Sequence, residues 1–358
     1  MVVFLQLMYE IKVLTPLFTG GVNRTHIRVR EEGLFGSLKY LAKMTLRSLS
    51  IPTCTVENCC KLPTDRIDSI CALCLLFGTI GWRGIFSLNV AEEGHTSITG
   101  GFYTINYGKK KREIVKGFLG KLLLTLTFDD TKLHIISRKL GEDVTTALLS
   151  TIRLVLERLL EYVAIGARTA RGYGAVSRLS YTYTGSLRDI DTLDIVKTLK
   201  SSLTPKNEVY EPSFCGTRFY KIRFSLEGNN YESFLESLSS MTNFRVFVAF
   251  GDDYNKIKHI QEFLPTSPLL REILRLEESI PNVILGDRDL GSQLFITNAY
   301  RRDDHFEFRV WSLHKDGDSI RKIISIICRS LQNAGAHVIE VTQKSLEEIL
   351  THGRGRIR

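Results

Sequence analysis

A helix that runs directly into a glycine-rich loop and leaves it as a strand constrains this chain more than any other stretch. Leu148, Leu149, Ile152, Leu156, Leu159, Leu160 and Val163 recur at three- and four-residue steps, the spacing of one buried helix face. Val176, Leu179, Tyr181 and Tyr183 then read as a strand. Between them lies Gly-Ala-Arg-Thr-Ala-Arg-Gly-Tyr-Gly-Ala, residues 166–175. Gly166, Gly172 and Gly174 permit positive φ and a close approach of backbone to a ligand. Arg168 and Arg171 add guanidinium forks, and Tyr173 adds a flat face that stacks on a base or packs the loop. Exposed N–H groups beside such forks suit phosphate oxygens. The loop is neither a P-loop nor a dinucleotide fingerprint, because the helix precedes it and no Gly-Lys-Ser/Thr ends it. A helix C-cap with a tight turn is the plainer alternative; it accounts for Gly166 but not for two arginines and two further glycines.

The chain has 358 residues, enough for two domains. Its net charge of +9, from 48 Lys+Arg against 39 Asp+Glu, favours an acidic partner, nucleic acid before membrane surface. The first residues are apolar but lack a basic lead and a small-residue cleavage site. They read as a strand, with Leu5, Leu7, Tyr9, Ile11 and Val13 alternating with Gln6, Met8, Glu10 and Lys12. No apolar run reaches membrane length, so a cytoplasmic protein with no membrane partner is expected.

That strand closes at Thr15-Pro16-Leu17, and a loop carrying Arg24, His26, Arg28 and Arg30 follows. Residues 34–49 have helical spacing, with Leu38, Leu41, Thr45 and Leu49 inward and Lys39, Lys43 and Arg47 outward. Strands are expected at 85–90, 102–107 and 117–128. Lys109, Lys110, Lys111 and Arg112 sit at a hairpin tip beside Tyr103 and Tyr107. They form either an arm that grips RNA by charge and stacking or an ordinary solvated tip. In order the first half is strand, helix, strand, strand, helix, strand, the ferredoxin-like arrangement. Residues 186–214 are polar, with Pro205 and Pro212, and read as a linker with some helix in it. Strands at 218–226, 245–250, 306–313 and 337–341 and helices at 231–241 and 320–331 repeat the order, while 265–302 reads as irregular. The expected fold is α+β: two tandem ferredoxin-like (RRM-like) βαββαβ domains with insertions, at 1–185 and 217–358, joined by 186–216.

Five of the seven cysteines, Cys54, Cys59, Cys60, Cys71 and Cys74, fall in one short insertion. A zinc ion held by Cys71, Cys74, Cys54 and either Cys59 or Cys60, with Cys59 placed in the set, would order a segment poor in apolar residues. Buried free thiols and a disulfide are the alternatives.

These pieces resemble the RAMP superfamily of CRISPR effector subunits, in particular the subunit-one family of the Cmr, or type III-B, complex. Leu14-Thr15-Pro16-Leu17-Phe18-Thr19-Gly20-Gly21 at the end of strand one carries the likeness. So do Gly36-Ser37-Leu38-Lys39-Tyr40-Leu41-Ala42-Lys43, the glycine loop 166–174 and Leu76-Phe77-Gly78; Ser267-Pro268-Leu269 matches loosely. The family writes arginine where Lys39 and Lys43 stand, so the charge is kept and the bidentate fork is lost. Nuclease-bearing backbone subunits use an aspartate in the early loop, and residues 20–30 contain none. The resemblance implies a non-cleaving subunit without a catalytic cofactor. It would hold guide (CRISPR) RNA near its 3′ end and help capture target RNA beside other RAMP subunits. Arg24, Arg28, Lys39, Lys43, Lys109, Lys110, Lys111, Arg168 and Arg171 would hold phosphates. Two enzyme readings compete: a metal-independent endoribonuclease using His26, and a metal-dependent one using Asp252 and Asp253, paired at a strand end. The second lacks a recognisable third carboxylate, and Asp129-Asp130 and Asp303-Asp304 show such pairs as ordinary turns.

Overall fold

In the computed structural model, the residues described are 5–19, 29–55, 59–62, 66–106, 109–167, 169–184, 191–203, 216–242, 246–250, 263–286, 292–313 and 316–351. The alternation at the N-terminus produces β1 (Gln6–Leu17), with Leu7, Tyr9, Ile11 and Val13 buried and Lys12 exposed. α1 (Glu31–Ser48) follows, then α2 (Ala72–Phe77), β2 (Phe86–Asn106), β3 (Lys109–Phe128), α3 (Asp130–Leu140), α4 (Glu142–Glu157) and β4 (Val176–Thr184). Asp129 caps α3, its carboxylate accepting the Lys132 N–H at 3.2 Å. The strands form an antiparallel sheet in the order β4-β1-β3-β2, and α1 and α4 pack together over it.

Two strands expected separately at 85–90 and 102–107 are one. β2 pairs with β3 from Phe86↔Phe128 to Asn106↔Lys109, whereas β1 reaches β3 only between residues 118 and 127. The distal part of the hairpin therefore extends past β1.

α5 (Thr192–Ser202) lies within the expected linker. Asp191 caps it, and Ile195 and Leu199 are buried against the first half. The second half runs β5 (Arg218–Leu226), α6 (Tyr231–Ser240), β6 (Val246–Phe250), β7 (Phe263–Leu264), α7 (Thr266–Leu276), α8 (Asn282–Leu285), β8 (Leu294–Ile296), β9 (Ala299–Arg302), β10 (His305–Ser312), α9 (Gly317–Asn333), β11 (Ala336–Ser345) and α10 (Leu346–Thr351). Its sheet is β11-β5-β10-β9-β7, with β8 also on β10. Here the expected second strand is corrected. β6 leaves the second sheet and pairs with β2 at Gly100–Thr104, and the four-residue β9 takes the place beside β10. The stretch read as irregular holds α7, which accommodates Pro268 because the first turn of a helix needs no N–H there.

One face of the second sheet, with Tyr220, Ile222, Phe224, Phe308 and Val310, packs under its own helices. The other face turns Phe219, Tyr300 and Trp311 into the core of the first half. α10 returns to the first half as well, where Thr192 Oγ1 donates to Leu350 O at 3.1 Å. Among the described residues no helix is long and apolar enough to cross a membrane.

Candidate functional site

Two constellations singled out in the sequence come together in space. The first is the glycine loop, onto which the other two motifs of the first half converge. Phe18 O accepts the Ala167 N–H at 2.5 Å, and Gly166 N–H donates to Ser37 Oγ at 2.8 Å. Thr19 Oγ1 accepts Arg30 N–H at 2.7 Å, tying the end of strand one to the start of α1. Gly174 N–H donates to Pro16 O at 3.1 Å, and the Phe18 and Tyr173 rings meet edge-on at 4.9 Å. Tyr173 is 3% exposed, so it packs the loop, as one of its two expected roles had it.

The glycines meet protein atoms. Gly166, Gly172 and Gly174 have φ of +86°, +90° and +81°. A Cβ on Gly174 would lie 1.9 Å from Ile165 O. One on Gly172 would lie 2.4 Å from the Ser267 Cβ and 2.7 Å from Asn298 N. Gly172 O accepts from Asn298 N–H at 2.8 Å and from Thr15 Oγ1 at 3.3 Å. The loop is thus clamped between the strand-one motif and the second half, whose Ser267 belongs to the loosely matching Ser-Pro-Leu. Arg171 ends a 3₁₀ turn, Thr169–Arg171. Lys39 and Lys43 lie half-buried on α1. Arg47, expected to face outward, is instead buried at 7% exposure, its Nε donating to Thr53 Oγ1 at 2.8 Å. Lys109, Lys110 and Lys111 open β3. Arg24, His26, Arg28, Arg168, Asp252 and Asp253 lie outside the described residues.

Residues 10–177 match the family model of the RAMP superfamily. The chain carries a RAMP superfamily domain. The RAMP region runs from β1 to the start of β4 and includes all three converging motifs. Among solved structures the chain is similar to a chain of the type III-B Cmr-beta complex bound to cognate target RNA. That pair is 11% identical, with 92% of this chain and 100% of the other covered and a TM-score of 0.47. It is also similar to apo Cmr1 from Pyrococcus furiosus, at 11% identity, 94% and 98% coverage and a TM-score of 0.40. No curated protein matches the sequence.

The second constellation lies in the RAMP region's insertion between α1 and β2. Cys54, Cys60, Cys71 and Cys74 are all buried, and their Sγ atoms lie within 4.8 Å of one another. Cys54 Sγ is 3.3 Å from Cys74 Sγ and 3.8 Å from Cys71 Sγ. Sulfurs at the corners of a tetrahedron with metal–sulfur bonds of about 2.3 Å are about 3.8 Å apart, so the donor set fits one tetrahedral ion. Cys71 precedes α2, its N–H points at Cys60 Sγ (3.5 Å), and Cys74 falls in the first turn. The expected ligand Cys59 is corrected to Cys60. The Cys59 thiol turns instead to Thr79 Oγ1 at 3.3 Å. All four are free thiols. Their contact splits their acidities: hydrogen bonds with Cys60, Cys71 and Cys74 hold Cys54 far below the ordinary thiol range. Those with Cys54, Cys60 and Cys71 push Cys74 far above it. Such a cluster is well suited to a cation that lets all four ionise.

A third feature was not legible in sequence. Arg309, fully buried, crosses from the second half into the first. Its Nη1 donates to Leu160 O (2.9 Å) and Val163 O (2.8 Å), its Nη2 to Val176 O (2.8 Å) and its Nε to Tyr300 Oη (2.9 Å). Tyr300 Oη donates to Glu307 Oε1 at 2.5 Å, and Arg223 Nε to Glu307 Oε2 at 3.0 Å. Burial pushes the Glu307 carboxyl up, but Lys221, Tyr300, Arg309 and Arg223 together hold it below its ordinary range. In sequence Glu307 and Arg309 alternate with Phe306, Phe308 and Val310, the pattern of a solvent-facing polar row. Only the docking of the first half onto that row buries them.

Proposed function

We propose that this chain is a non-catalytic RNA-binding subunit of a CRISPR type III-B (Cmr) effector complex. It would contact guide RNA near its 3′ end and help capture target RNA beside other RAMP subunits in the cytoplasm. The RAMP match over residues 10–177 carries the reading. It covers the glycine loop and its two partner motifs. The backbone of Gly166, Ala167, Gly172 and Gly174 is engaged within the protein, so Arg168 and Arg171 are assigned the RNA contacts and the glycines the turn that presents them. The first sheet's order, β4-β1-β3-β2, and the second's, β11-β5-β10-β9, support two tandem ferredoxin-like halves. Zinc is assigned to Cys54, Cys60, Cys71 and Cys74. Four protein thiolates leave no open coordination position, so the ion would order the insertion rather than react.

Purification from the native source tests the reading. The chain should bring with it a guide-length RNA and further RAMP subunits. Recovery alone, with no RNA and no related chain, would contradict it. Incubation with labelled RNA, with and without magnesium, should give no cleavage.

A further inference from the structure

Lys221 lies on β5 with Arg309 directly across on β10 and Thr342 across on β11. Like charges opposite one another on a sheet destabilise it unless each finds a partner. Arg309 has its partners in Leu160, Val163, Val176 and Tyr300. Lys221 does not: among the described residues no acceptor takes a hydrogen bond from its Nζ. The ammonium instead sits over the Tyr162 ring, 4.4 Å from its centroid, and the Lys344 ammonium lies 5.7 Å from the same centroid. Two cations are thus gathered at one half-buried ring, at the seam between the halves. The groups facing Lys221 are Arg309, Glu307, Glu161 and Arg302. Both carboxylates are already engaged: Glu307 by Tyr300 and Arg223, Glu161 by Ser177 Oγ at 3.1 Å and the Arg178 N–H at 2.8 Å. Burial, with Arg309 and Arg302 adding to it, pulls the Lys221 ammonium down to about 8.

A half-buried ammonium whose N–H groups find no acceptor among the described residues is costly unless something outside the protein completes it. We propose that Lys221 and Lys344, gathered at Tyr162, form an anion subsite that takes a phosphate group of bound RNA. The subsite lies just before the glycine loop in sequence and uses residues from both halves. A strand held at the loop's arginines would thereby also engage the second half. The proposal rests on the RNA-binding reading above.

The test uses the full chain, with Lys221→Met and Lys344→Met variants, and a fluorescent single-stranded RNA at several salt concentrations. Each variant should weaken binding roughly tenfold. It should also flatten the slope of log affinity against log salt by about 0.7. Lys221→Met keeps the stem but removes a charge that helps hold the Glu307 carboxyl down, so it should melt somewhat lower than the parent, and affinities are compared at a temperature where both are folded. If the parent binds RNA and both variants match its affinity and slope, the subsite is wrong and the RNA-binding reading stands. If the parent binds no RNA, that reading fails, and a second arm decides the subsite. Lysines ¹³C-methylated in the parent, with the Lys221 signal assigned by its loss in Lys221→Met, are titrated with and without inorganic pyrophosphate. An upward shift of the Lys221 titration supports an anion subsite, whereas an unchanged titration overturns it.

Discussion

The four-cysteine centre and the Arg309 seam are both buried polar clusters, and they are built in opposite ways. At the centre, four donors of one kind converge and lie against one another. At the seam, one cation has four of its five N–H groups taken by carbonyl oxygens and a hydroxyl, with the Glu161 carboxylate 3.9 Å from Nη2. A buried polar cluster points to a ligand only where the protein leaves it incomplete. The same comparison separates Lys221 from its cross-strand neighbour Arg309, and it reassigns the loop's glycines from ligand approach to internal packing.

The largest effect should come from the centre. Protein prepared without added zinc should carry about one equivalent per chain. Cys60→Ser and Cys71→Ser should each lose it, and Cys59→Ser should keep it. Metal-free protein with promptly reactive thiols would break the contrast from one side. Arg309→Met attacks it from the other: it strands the carbonyls of Leu160, Val163 and Val176, and denaturant unfolding should show a loss of about 3–5 kcal/mol. A neutral result would mean that the seam is wet rather than saturated.

Much of the fold was legible because its signals are local. The alternation of β1, the helix spacing of α4 and α9, and the order of elements in the first half depend on periodicity alone. The second half was harder. β9 has four residues, too few to alternate visibly, and β6 has a good strand sequence whose partner lies in the other sheet. The choice between Cys59 and Cys60 turned on the direction of one side chain, which spacing leaves open. Arg309 gave no signal, since its burial is created by the docking of the two halves.

Smaller effects sharpen the comparison further. Gly172→Ala forces a Cβ at positive φ against Ser267 and Asn298, and should cost about 1–3 kcal/mol in unfolding experiments. Wild-type stability in that variant would free the glycine for a ligand role. The Glu307 carboxyl is held below its ordinary value of about 4.3. It therefore contributes stability that is complete above that pH and is lost as pH falls through the folded value. Glu307→Gln should thus be less stable than the parent near neutrality, with the gap closing in acid. A gap that persists unchanged at about pH 2 would assign the effect to packing.

The central claim is that the loop's arginines hold RNA backbone while its glycines build the fold. Equilibrium binding of unrelated single-stranded RNAs to Arg168→Ala and Arg171→Ala, across a salt series, tests it most directly. Backbone contacts carry little sequence information, so affinity should fall for every RNA alike. The log–log salt slope should flatten by about 0.7 per lost phosphate contact, with melting unchanged. If both variants bind every RNA as tightly as the parent, with the same slope, the loop is a fold element alone and the account is contradicted.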